Sequence, residues 1–124
     1  MGELIGCYET CANGYYDASP KPLVQRSPHW PAVRETHLKR EPNCTACGGK
    51  DNIEVHHIHP FHLWPELELV ETNLITLCEH PSHNCHFIFG HLLSWLSYNL
   101  TVQFDAAAYL LKLSHRPKGK GDAQ

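Results

Sequence analysis

Two histidines, His56 and His57, stand side by side in the stretch Glu54-Val55-His56-His57-Ile58-His59-Pro60, an apolar frame of the kind that forms a short β-strand. Successive side chains of a strand point to opposite faces. With His56 turned toward a metal ion, His57 turns away from it and faces a substrate, which divides ligand and base between neighbours. Asn73, His86 and His91 follow along the chain as further polar candidates. Four cysteines fall into two pairs, Cys44-x2-Cys47 with two glycines after it and Cys78-x6-Cys85. Four thiolates in two pairs satisfy the tetrahedral, all-protein shell of a structural zinc. The second pair is wider than the usual two to four intervening residues, and His80 and His83 inside it are alternative ligands.

The elements expected to position these residues are short. Residues 31–40 carry a proline suited to a first helical turn, with good helix formers behind it and Pro42 beyond. Trp30, Val33, His37 and Leu38 supply the inner side of that helix. Arg34, Glu35, Lys39 and Arg40 lie outward, as a face that is either simply solvated or in contact with phosphate. The histidine strand and a second strand at Leu74-Ile75-Thr76-Leu77 read as an antiparallel hairpin with a long connection through Trp64-Pro65. Residues 85–96 have the apolar density of a helix packed on that hairpin, although Gly90 weakens its middle. A last helix is expected over residues 105–113, with Asp105 as N-cap.

A chain of 124 residues supports one modest domain with a small core. The expected class is α+β: a single small domain stapled by zinc, over residues 30–115. Residues 1–29 read as an N-terminal arm and proline-rich connector, with Cys7 and Cys11 either unpaired thiols or a further metal pair, and residues 116–124 as a disordered basic tail. No apolar run approaches a membrane span and the N-terminus lacks a leader pattern, so a soluble intracellular protein with reduced cysteines is expected. The formal charge is only −3, and all ten Lys and Arg lie outside residues 51–111. That middle segment holds eight of the eleven histidines, so an anionic substrate would need a bound cation or the basic flanks to approach it.

Val55-His56-His57-Ile58-His59-Pro60, Asn73-Leu74-Ile75-Thr76-Leu77-Cys78 and Cys85-His86 resemble the three signature blocks of the HNH nucleases, the ββα-metal endonucleases. The likeness covers roughly residues 30–97 and includes the cysteine pairs that many members use for zinc. His57 and Asn73 are sixteen residues apart, as the family loop allows, whereas the thirteen from Asn73 to His86 exceed the usual interval by about the width added to Cys78-x6-Cys85. The family often places a second helix histidine four residues after the first; this chain has Gly90 there and His91 one residue later. In a regular helix His91 would point ~140° away from His86. It reaches the same ion only if the helix bulges or breaks at Gly90.

The resemblance implies metal-dependent hydrolysis of DNA phosphodiesters, leaving 5′-phosphate and 3′-hydroxyl ends. It implies His57 as general base, His56, His86 and conditionally His91 as ligands of one divalent ion (Mg²⁺, Mn²⁺, Ni²⁺ or Zn²⁺), and Asn73 as the residue that holds the His57 loop. Glu54 and His59 are expected behind these groups, and His62, His80 and His83 in loops. The partner implied is DNA. Small HNH proteins are frequent in phages and prophages, so the resemblance also points to bacterial or phage-infected cytoplasm and to phage packaging proteins. The competing reading is a noncatalytic zinc module that binds nucleic acid or protein. It accounts for the cysteines but not for the order of His56-His57, Asn73 and Cys85-His86.

Overall fold

The computed structural model describes residues 25–117. Cys7, Cys11, most of the N-terminal arm and the end of the basic tail lie outside the described residues. Helix α1 spans Trp30–Arg40, with Pro31 in its first turn, where the missing N–H costs nothing. Its inner side is the expected one, and His37 is its fully buried member. Glu71 Oε2 lies 2.8 Å from His37 Nδ1, so this helix is tied to the entrance of the second strand.

Strands β1, Ile53–His57, and β2, Leu74–Cys78, pair antiparallel, with His56 opposite Ile75 and His57 opposite Leu74. Two short 3-10 turns, Pro65–Leu67 and Glu71–Asn73, shape the long connection between them. Every residue of β2 is buried, because both faces of this two-stranded sheet are covered. The core cluster is nine residues, and three of them are Cys44, Cys78 and Cys85. In so small a core the cysteine cluster is a structural component rather than an attachment.

Two expectations about the C-terminal half are corrected. The helix expected over residues 85–96 is a single turn of π-helix, His86–Gly90, after which the chain runs in turns. Leu92 and Leu93 follow it with positive φ of 54° and 68°, which ends any helical continuation. Helix α2 begins earlier than expected, at Val102, and runs to Ser114. Asp105 therefore sits inside its first turn instead of at the N-cap, where it accepts a hydrogen bond from the Asn99 side-chain amide at 2.8 Å. Val102 and Ala106 bury this helix against the core. Among the described residues no helix is long and apolar enough to cross a membrane.

Candidate metal centres and active site

The cysteine cluster is assembled by backbone geometry. Gly48 at φ 79° turns the chain between Cys47 and the hairpin, and the Cys44 N–H donates to the Gly49 carbonyl at 2.8 Å. The N–H of Cys47 points at Cys44 Sγ and that of Gly49 at Cys47 Sγ, both at 3.4 Å. Backbone donors aimed at sulfur favour thiolate. Cys78 ends β2 and Cys85 immediately precedes the π turn, and all four sulfurs lie within 4.8 Å of one another. Tetrahedral ligation with Zn–S bonds of about 2.3 Å requires sulfur separations near ~3.8 Å; Cys47 and Cys78 are 3.7 Å apart. The hydrogen bond from Cys85, together with the Cys47 and Ala46 N–H groups, holds Cys44 down at about 4, while burial pushes Cys47 up to about 11. A cation resolves this conflict, since it lets every thiol ionise. The cluster is compatible with zinc. The imidazoles of His80 and His83 are not in the cluster and stack on each other with centroids 4.3 Å apart, although the His83 carbonyl accepts from Cys78 Sγ at 3.8 Å.

On the other side of the π turn, His56, His86 and His91 bring one ring nitrogen each within 4.8 Å of the others. His56 Nδ1 and His86 Nε2 are 3.0 Å apart. The π turn resolves the placement of His91, because a turn widened to five-residue spacing carries residue i+5 back toward the face of residue i. Gly90 makes this possible in a second way. A Cβ there would meet the His56 ring at 3.0 Å from Cε1 and 3.2 Å from both nitrogens, so the imidazole rests directly on the turn backbone.

Each ring is oriented from behind. Glu79 Oε2 accepts from His86 Nδ1 at 2.8 Å, which leaves His86 Nε2 as the inward lone pair. The Ser97 carbonyl does the same for His91 Nδ1 at 2.8 Å. Desolvation, followed by the neighbouring His86 and His91, drives His56 down to about 2. Its Nε2 is buried without a hydrogen-bond partner. Three imidazoles crowded together, with His56 and His91 held below the usual range by desolvation and one nitrogen of His56 orphaned, are a donor set that fits a divalent transition metal.

His57 occupies the opposite side of the strand. Its ring packs 4.6 Å from Trp30, and its Nε2–H donates to the Glu68 carbonyl at 2.9 Å. Nδ1 is therefore the unprotonated nitrogen. Desolvation holds His57 below the usual imidazole range, with Arg26 adding to the effect against the pull of the Glu68 carbonyl. Asn73, buried, locks the end of the strand: its Oδ1 accepts from the His59 N–H at 2.7 Å and its Nδ2 donates to the carbonyls of His59 and Leu67. A cleft of about 300 Å³ is bordered by His56, His57, His86 and His91 together, with Arg26 on one rim and Trp95 and Leu96 on another.

Of the residues expected in supporting positions, His59 touches Asn73, whereas Glu54 pairs with Arg34 at 3.5 Å on the surface. His62 is exposed at the rim of the cleft. Glu79 and the carbonyls of Glu68 and Ser97 are the supporting groups that sequence reasoning missed, whereas Gly90 was already marked as the point where the helix must bulge or break. A signal existed for Glu79, a carboxylate between Cys78 and the histidine it orients; backbone carbonyls leave none.

A family model described as HNH endonuclease matches residues 44–87, from the first zinc-type cysteine to the residue after His86. The antiparallel hairpin and the cysteine cluster within that segment are consistent with the HNH fold, and the family it matches is a family of nucleases. Comparison with curated proteins and with solved structures gives no significant match.

Proposed function

We infer that this protein is a metal-dependent DNA endonuclease that uses one catalytic ion and a histidine base, within a nuclease domain spanning residues 30–115. One observation carries the reading: four imidazoles border a single cleft with different proton arrangements, three with nitrogens converging on one another and the fourth, His57, with its N–H spent on a carbonyl. His57 Nδ1 takes the proton of the attacking water, and burial keeps the ring neutral and ready to do so. The Glu68 carbonyl fixes its tautomer, and Asn73 fixes the backbone just beyond it. His56, His86 and His91 would hold the divalent ion, which when bound supplies electrostatic stabilisation for charge on the phosphorane and on the departing 3′ oxygen. Products carrying 5′-phosphate and 3′-hydroxyl ends follow. Cys44, Cys47, Cys78 and Cys85 hold a separate, structural zinc.

Imidazole donors suit Ni²⁺ and Zn²⁺ better than Mg²⁺, with Mn²⁺ between them. Purified protein treated with EDTA should stop nicking supercoiled plasmid, and adding back divalent ions should restore nicking, at lower concentration for the transition metals than for Mg²⁺. Failure to nick with any of these ions would make a noncatalytic zinc module the better reading.

A further inference from the structure

The loop after the π turn is apolar, exposed and held in a conformation that leucine disfavours. Leu92 and Leu93 both lie in the left-handed region, at φ 54° and 68°. Neither is rewarded by burial: they are 54% and 65% exposed, and Leu96 is 93% exposed. The loop is nonetheless well tied. The Leu93 N–H donates to the Phe87 carbonyl at 2.9 Å, and the Ser97 hydroxyl donates to the carbonyls of His91 and Ser94. The Ser97 carbonyl that orients His91 belongs to the same set of bonds, so the metal-site histidine and the leucine ridge are fixed as one unit. Trp95 backs the ridge, with its ring 4.8 Å from His91 and from Phe87, and with Leu96 it forms a wall of the cleft that His56 and His57 share.

We propose that residues 92–96 act as a wedge that enters the base stack beside the phosphodiester to be cut, with Leu93 and Leu96 as its tip and Trp95 as its support. This rests on reading the cleft as a nuclease site. The ridge offers the phosphates no cation, and the cation at the cleft rim, Arg26, is already 3.5 Å from Glu68. The apolar surface a nucleic acid can offer is the face of its bases, which becomes accessible where the stack opens. A duplex threaded past His57 would meet this wall. Opening the step next to the target phosphate would let the backbone settle into a cleft of only about 300 Å³.

The test compares the full chain with its L93S/L96S variant, both substitutions falling on exposed side chains. One substrate is a matched duplex containing a site mapped from nicked plasmid; the other is the same duplex with a two-base mismatch bubble at that site. A third arm places 2-aminopurine at the site and reads its fluorescence on binding in EDTA. The variant should lose about ten-fold or more in kcat/KM on matched duplex, stay within about two-fold of wild type on the bubble, and lose the fluorescence rise that wild type produces. Equal loss on both substrates, or no loss on either, overturns the wedge. So does a wild-type dimer that the variant turns into a monomer, because the ridge would then be an interface between copies. Plasmid that wild type leaves unnicked removes the nuclease reading instead, and 2-aminopurine placed at successive positions of an arbitrary duplex then decides whether the ridge unstacks bases.

Discussion

The imidazole of His57 has two attachments, a ring contact with Trp30 and a hydrogen bond to the Glu68 carbonyl, and replacing it removes packing as well as a base. His57→Gln separates the two effects, since glutamine keeps most of the volume and a donor for Glu68. Both His57→Gln and His57→Ala should lower kcat by ~10²-fold or more with DNA affinity and zinc content unchanged, and only the alanine should lower the melting temperature. Wild-type nicking rates in His57→Gln would refute the base assignment. Gly90 has a different sensitivity. A Cβ at that position comes within 3.0 Å of the His56 ring, so Gly90→Ala must displace the imidazole or open the turn. The concentration of divalent ion needed for half-maximal activity should rise about ten-fold or more, as displaced metal-site geometry does elsewhere, with the cysteine-bound zinc retained. An unchanged metal requirement would mean that His56 is not a ligand.

The hairpin is held at both ends by segments that have little core of their own: the turn carrying Cys44 and Cys47 before it and the turn beginning at Cys85 after it. Ligand binding there is folding energy, so Cys44→Ser should release zinc and lower the melting temperature sharply, with activity lost as a consequence. Elemental analysis alongside thermal melts checks this; a variant that keeps both zinc and stability would remove the structural site. The hairpin itself was legible, because Val55, Ile58, Leu74, Ile75 and Leu77 mark short apolar strands bounded by turn residues. Helix α1 was legible from Pro31 and the formers behind it. The segment after Cys85 was misread because a run as apolar as Phe87-Ile88-Phe89 and Leu92-Leu93 looks like a helix face, whereas here the aromatic residues pack and the leucines stay exposed. Gly90 carried the local signal, and its consequence depended on a ring contributed by a strand more than thirty residues earlier. The three clustered histidines could be read as residue types. The groups that aim His57 and His91 could not, since both are main-chain carbonyls whose positions only the fold determines.

At the scale of the molecule, the basic residues among those described divide into those already committed to carboxylates and those left over. Arg26, Arg34 and Arg40 lie 3.5, 3.5 and 3.1 Å from Glu68, Glu54 and Glu71. Lys39, Lys50, Lys112 and Arg116 form no ion pair among the described residues. Lys50 and Arg116, far apart in the sequence, both line a groove of about 510 Å³ beside Cys47 and Cys78. The net charge of −3 means that attraction to DNA must come from such local concentrations rather than from the molecule as a whole. Binding should therefore weaken with salt, and the slope of log affinity against log salt should fall by roughly one for each unpaired cation that touches a phosphate. Lys50→Ala and Arg116→Ala should each reduce that slope, whereas Arg34→Ala and Arg40→Ala should change it less, because their guanidinium groups are already engaged by carboxylates and neutralise fewer phosphates. Titrations of a fluorescent duplex at several salt concentrations measure this directly. Equal slopes for all four variants would show that ion pairing within the protein does not decide which bases reach the DNA, and a flat profile for wild type would show that these flanks do not touch it.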